Sequence, residues 1–308
     1  MPLQPVTPST IGLWRAADWK RGMPGLYALV TGVSAYPWLR GGRLHDPAVD
    51  CGGMEQLVSS AATAAALFDW LTSRYRCDGL PLVWCALLLS PTDAERAQLQ
   101  QQGLTHYGDP SYANLCEAIA QWTGQLPDRP DAAALSRSLF FFSGHGVSAN
   151  WDPLLLPADY LNQDAGKPRL QNCISTRDLR DWMEDNPVAE HLALIDACRN
   201  EFKPLAERGA SGHGVFPANA AGAGAPRTAA RLASTSPGAV SFSLPDQPAT
   251  VFGQAVLEAL NGMAPTAGPR VEFRELVDYV GPRVTAILRE FAPDGPSQVV
   301  RQTIDGDD

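Results

Sequence analysis

Ser138-Leu139-Phe140-Phe141-Phe142-Ser143-Gly144-His145-Gly146 is the stretch on which the fold turns. Its first five residues form an apolar run of strand length with no polar alternation, as expected of a strand buried on both faces inside a parallel sheet. The run stops at Ser-Gly-His-Gly. A second stretch repeats the arrangement, His191-Leu192-Ala193-Leu194-Ile195 leading into Asp196-Ala197-Cys198-Arg199. Each reactive side chain therefore falls just past the carboxyl end of a buried strand, the edge at which open α/β sheets place their sites. A thiol with an intrinsic pKa near ~8.5 needs a positive neighbour or an imidazole to become a thiolate at neutral pH. Cys198 and His145, 53 positions apart, supply a nucleophile and its base.

Outward from these motifs the chain alternates strand and helix. Leu26 to Val33 is a continuous apolar run that reads as the first strand, and a Gly-bearing loop from Ser34 to Gly53 follows it. Ala62, Ala65, Ala66, Phe68, Leu71 and Tyr75 recur at helical spacing, and Leu82 to Leu89, closed by Ser90-Pro91, reads as the second strand. A helix is expected near Tyr112 to Trp122. Another should run from a Ser175/Asp178 cap to about Glu184, with Pro187 closing it before the Cys-bearing strand. Between Arg199 and Arg231 the pattern fails. Gly209-Ala210-Ser211-Gly212-His213-Gly214 and Ala218 to Pro226 carry little to bury, which predicts an exposed linker suited to cutting. Its Ser-Gly-His-Gly string follows no strand, so His213 is assigned to solvent. Order resumes at Arg231 to Thr235, with helices near Phe252 to Leu260 and Phe273 to Phe291 and a terminal segment at Gln298 to Ile304.

Composition narrows the function. A chain of 308 residues with 45% apolar content can bury a full core, and its formal charge of −9 with no Lys/Arg block argues against nucleic acid or an anionic membrane as partner. Six cysteines, at 51, 77, 85, 116, 173 and 198, show no CxxC and no ligand spacing, the usage of a reducing cytosol. The first 25 residues hold no signal-length apolar core and no run reaches membrane-spanning length, so a cytoplasmic location is expected.

Ser143-Gly144-His145-Gly146, Asp196-Ala197-Cys198 and, downstream, Ser234-Thr235-Ser236-Pro237-Gly238 resemble the His motif, the Cys motif and the opening of the small-subunit half in the caspase and metacaspase family. The resemblance runs from about Leu26 to the C terminus. It implies an α/β three-layer sandwich, a six-stranded, mainly parallel sheet with helices on both faces. Residues 1–25 would be an N-terminal extension and 26–305 the peptidase domain, divided into a large-subunit-like half (26–198), a linker loop (199–231) and a small-subunit-like half (232–305). It also implies a cysteine endopeptidase in which Cys198 attacks, His145 transfers the proton, and the N–H groups of Gly146 and Cys198 form the oxyanion hole. Gly144 and Gly146 would leave room for a substrate carbonyl. Ser241-Phe242-Ser243 would pair with the extended peptide.

Departures from caspases redirect the specificity. Caspases select aspartate with two Arg and the Gln of their Cys motif; Asp196 stands at the Gln position and Ser243 where the substrate-strand Arg would be. An acidic floor favours a basic side chain, so cleavage after Arg or Lys is expected, as in metacaspases, and the partners are proteins with exposed Arg or Lys sites. Asp196 also reads as a cap or fold-stabilising acceptor. His45-Asp46 resembles the metacaspase Asn-Asp pair that supplies a second acid, with Asp50 its rival. Asp152, Asp159 and Asp164 are too widely spaced for a calcium cluster, so neither metal nor cofactor is expected. The linker resembles the cleaved linker of a caspase zymogen. Arg208, Arg227 and Arg231 are its candidate processing sites, for the enzyme itself or an upstream protease; with 21 Arg to three Lys, and Lys203 close to the nucleophile's strand, an Arg is the expected cut. A catalytically silent interaction module and a cysteine transpeptidase or ligase are the alternatives. Defence or regulated cell death is the family-level role.

Overall fold

The computed structural model describes residues 2–77, 79–149, 152–164, 167–168, 172–198, 200–201, 214–217, 228–235, 248–268, 270–291 and 298–306. In chain order the strands and helices are β1 (Leu3–Pro5), β2 (Leu13–Ala16), β3 (Leu26–Val33), α1 (Ser60–Ser73), β4 (Leu82–Ser90), α2 (Asp93–Gln101), α3 (Tyr112–Gln125), α4 (Pro130–Ala134) and β5 (Arg137–Gly144). After the His motif come β6 (Gly146–Ala149), β7 (Asp152–Leu155), β8 (Gln163–Asp164), β9 (Lys167–Pro168), β10 (Ile174–Ser175), α5 (Thr176–Asp185) and β11 (Glu190–Ala197). The remainder is β12 (Asn200–Glu201), β13 (Thr228–Ala233), α6 (Val251–Glu258), α7 (Phe273–Phe291) and β14 (Arg301–Gly306).

The central sheet runs β1-β2-β4-β3-β5-β11-β13-β14. Its five middle strands, β4 to β13, are parallel, and β14 closes one side antiparallel. These are the six strands expected. The sheet has eight because β2 pairs antiparallel with β4 and β1 with β2, so the residues before β3 add two edge strands to the sheet. Burial explains the addition: Ile11, Leu13 and Ala16 are buried and the Trp14 ring lies 5.2 Å from Phe68. Gly12 (φ +57) lets the two segments meet, since a Cβ there would stand 2.3 Å from the Leu87 carbonyl.

Alternate side chains of the middle strands feed two cores. Phe140, Phe142 and Ile195 pack with Leu115, Trp122, Leu179 and Trp182 from α3 and α5. Phe141 and Leu194 pack with Phe68, Phe252, Val280 and Ile287 from α1, α6 and α7 on the other face. All eight residues of β3 are buried, which is why its sequence shows no polar alternation. Truncating Phe141, 1% exposed, would cost about 3–5 kcal/mol. The expected cap of α5 is present, with Asp178 N–H donating to Ser175 Oγ at 3.1 Å.

Two parts of the structure lie outside those expectations. A four-stranded sheet, β10-β7-β6-β12, stands immediately after the His motif. The expected linker loop is structured at its described points: Asn200–Glu201 pairs with β6, and Gly214 N–H donates to Asp178 Oδ2 at 2.8 Å. Phe216, 7% exposed, is inserted 6.4 Å from Phe140 and 6.0 Å from Trp182. Thr228 to Arg231 belongs to β13. No helix among the described residues is long and apolar enough to cross a membrane.

Candidate active site

The ladder between β5 and β11 sets the site. Asp196 pairs with Ser143 and Ala197 with Gly144, so the next residue on each strand is Cys198 and His145. The half-buried Cys198 and the half-buried His145 thus leave the sheet side by side. The segment that follows β13 holds β11 from its other flank: Ser234 N–H donates to the Ile195 carbonyl at 2.8 Å and Thr235 Oγ1 to the Ala197 carbonyl at 2.9 Å. The Ser234-Thr235 segment therefore holds the last three residues of β11, which precede the thiol.

His145 Nε2 lies 2.7 Å from the Glu55 carbonyl oxygen. A carbonyl only accepts, so Nε2 carries the proton and the neutral ring keeps Nδ1 as its basic nitrogen. Burial lowers the His145 pKa below the ordinary imidazole value, and the bond to Glu55 opposes that shift only in part. The His145 N–H donates to Tyr36 Oη at 2.7 Å, and the two rings lie 4.8 Å apart. Neither Glu55 nor Tyr36 was expected at the site. A main-chain carbonyl has no sequence signature, whereas Tyr36, three residues beyond β3, stands out only as a fully buried aromatic in a loop.

The glycines of the His motif are close-packed positions. A Cβ on Gly146 would stand 2.6 Å from the Cys198 carbonyl oxygen, and one on Gly144 would stand 2.8 Å from Tyr36 Oη. The space each leaves open is filled by the protein itself. Gly146 faces Leu155 of β7 while Leu156 N–H donates to the His145 carbonyl at 3.0 Å. In that antiparallel pattern the Gly146 N–H points away from β7.

Asp196 is 2% exposed, and both Thr250 Oγ1 (2.5 Å) and Ser143 Oγ (3.2 Å) donate to its Oδ2. Thr250 also caps α6 through the Gly253 N–H and is tied to α1 through Thr63. Asp196 thus joins β11, through Thr250, to both helices. Asp46 and Asp50 are exposed on the loop after β3, each accepting a main-chain N–H two residues on, from Ala48 and Gly52. That loop delivers Glu55, not an aspartate, to His145. Ser241, Phe242, Ser243, Arg208 and Arg227 lie outside the described residues. Arg231 sits in β13 between Ala193 of β11 and Thr303 of β14; cutting beside it would require stripping two ladders, so it is not an exposed linker bond. Asp159 accepts the Tyr112 N–H at the start of α3, and among the described residues no three His, Cys, Asp or Glu side chains could hold a metal ion.

No curated protein sequence matches this chain. Among solved structures, caspase-1 from Spodoptera frugiperda is similar over 98% of this chain and 93% of that one, at 15% identity and a TM-score of 0.49. The family model described as the caspase domain matches residues 26–299. With its large parallel sheet flanked by helices and the two motifs at one strand edge, the chain belongs to the caspase-domain family of cysteine peptidases.

Proposed function

We propose that this chain is a cysteine endopeptidase that cleaves after basic residues, Arg in preference, and is activated by a cut in the 199–231 segment. The observation that supports it most is the strand register that sets Cys198 beside His145, with Nε2 committed to the Glu55 carbonyl. Nδ1 takes the thiol proton, and the thiolate attacks the scissile carbonyl. The N–H groups of Gly146 and Cys198 receive the oxyanion, where each such donor contributes about 2.7–4 kcal/mol. His145 returns the proton to the leaving amine, an acyl-thioester remains on Cys198, and water deprotonated by His145 releases it. Wild type beside Cys198→Ala on a fluorogenic Arg peptide tests the assignment; activity in the variant would refute it.

Specificity rests on Asp196, an acid two residues before the nucleophile and shielded from water, where a charge-assisted bond to a guanidinium is strong. Asp46, or Asp50, would add a second acid from the loop after β3, and Ser241 to Ser243 would line the peptide. At about 1.5–3 kcal/mol for a hydrogen bond to a charged group, Asp196→Asn should weaken the Arg substrate roughly 10- to 150-fold relative to a neutral one. Faster turnover of Asp than of Arg substrates by wild type would sink the specificity.

For activation, Arg208 and Arg227 are the proposed cuts, since Arg231 lies in the sheet. Phe216 pins the segment between them. Sequencing the new N terminus after activation identifies the bond, and intact bands for wild type and Cys198→Ala alike in the presence of an activating protease would exclude processing.

A further inference from the structure

We propose that Tyr36 is the positioning residue of His145, clamping the main chain of the histidine and backing its ring so that Nδ1 faces Cys198. The inference rests on the reading of Cys198 and His145 as the reacting pair.

Three hydrogen bonds close a ring around the histidine. The His145 N–H donates to Tyr36 Oη at 2.7 Å, and the His145 carbonyl accepts the Leu156 N–H at 3.0 Å. Tyr36 Oη, its lone pair engaged, donates its own proton to the Leu156 carbonyl at 3.3 Å. A phenolate could not make that last bond. Full burial pushes the Tyr36 hydroxyl far above the ordinary phenol range and keeps it protonated. The ring itself stands 4.8 Å from the imidazole at a 51° tilt, so His145 is held at its main chain, on one ring face and at Nε2.

Tyr36 and the Glu55 carbonyl arrive as one unit. Gln56 Oε1 accepts the Tyr36 N–H at 2.7 Å and Gln56 Nε2 donates to the Tyr36 carbonyl at 2.8 Å, so the residue that follows Glu55 reads both main-chain groups of Tyr36. Donor and acceptor demands fix the orientation of that amide. The glycine at 144 follows from the same clamp, because a Cβ there would stand 2.8 Å from Tyr36 Oη.

The test compares Tyr36→Phe with wild type in the full chain. Removing the hydroxyl frees the His145 N–H while keeping the ring, and displacement of a reacting group by a fraction of an ångström to 1 Å should lower kcat by about 10- to 100-fold with KM unchanged. The acid limb of the pH–rate curve should move up toward the ordinary histidine value as water reaches the loosened imidazole, a change that a purely structural role would not produce. Folded Tyr36→Phe with wild-type kcat and an unmoved acid limb overturns the proposal. Should Tyr36→Phe fail to fold, Gly144→Ala decides, since its Cβ displaces the same hydroxyl: lowered kcat supports the clamp and wild-type kcat overturns it. Alkylation of Cys198 by iodoacetamide against pH, followed by mass spectrometry, reads the pairing without a peptide. An upward shift of that curve in Tyr36→Phe, in a wild type that cleaves no peptide, would refute the peptidase reading alone; no shift would refute the clamp.

Discussion

Gly146→Ala tests whether close approach of two strands is what places the nucleophile. The added Cβ would stand 2.6 Å from the Cys198 carbonyl oxygen, 3.0 Å from Ala197 Cβ and 3.2 Å from the Leu154 carbonyl oxygen. Two of these neighbours are main chain on opposite sides, and neither can rotate away. Ordinary contact begins at 3.4 Å, so the Cys198 carbonyl must retreat by about 0.8 Å. That moves the thiol relative to His145 by a similar distance, and misplacement on the order of 1 Å costs about 10²-fold in rate. Overpacking adds about 1–3 kcal/mol of destabilisation. Gly124→Ala is the matched control: it lies exposed on α3, where a Cβ meets nothing within 4 Å, and should stabilise by about 0.4–1 kcal/mol with activity unchanged. Peptide hydrolysis and thermal melts of the two variants give the answer. Wild-type activity and an unmoved melting temperature for Gly146→Ala would refute the reasoning.

Three further outcomes are expected. Burial lowers the His145 pKa, so the neutral base forms at lower pH than usual and the acid limb of kcat/KM should have its midpoint below about 6.5; a midpoint at or above 7 would count against it. The linked stability effect has the same origin: below about pH 6.5 the unfolded chain takes up a proton that the folded His145 resists, so this contribution is present above that pH and is lost as pH falls toward the lower folded value, which urea melts across the window would detect. Thr250→Ala removes the cap of α6 and a donor to buried Asp196, and should cost about 1–2 kcal/mol for the cap with about 1–3 more for the acceptor left short; a loss under 0.5 kcal/mol by chemical denaturation would remove Asp196 from its structural role. Phe216→Ala should release the linker at its described anchor, and a rate of limited tryptic nicking within 199–231 equal to that of wild type would show that Phe216 holds nothing.

What could be read from the sequence followed from how each feature is encoded. Strands buried on both faces declare themselves as unbroken apolar runs, so β3, β4, β5 and β11 were visible, and so were the chemically rare thiol and imidazole at two of their ends. The edge strands β1 and β2, three and four residues long, have no run or period to detect. Only the pairing of β2 with β4, and of β1 with β2, makes them strands. Phe216, with Val215 beside it, was the one apolar signal in a Gly/Ala-rich stretch, and it was outweighed by its neighbours. The helix α2 did carry a legible start, a Thr92/Glu95 capping box that the structure forms reciprocally.

The Ser-Gly-His-Gly string occurs twice in this chain, and the described glycines of the two copies stand in different surroundings. At 143–146 both glycines are required by parts of the protein: Gly144 by the Tyr36 hydroxyl that receives the His145 N–H, and Gly146 by the carbonyl of Cys198. At the second string, Gly214 has nothing within 4 Å of where its Cβ would stand. An open glycine at φ +85 is required only by its own turn, whereas one pressed against the main chain of Cys198 records that two strands converge there. The steric demand on Gly146 is thus independent support, outside the identity of the reactive side chains, for placing Cys198 and His145 in one site.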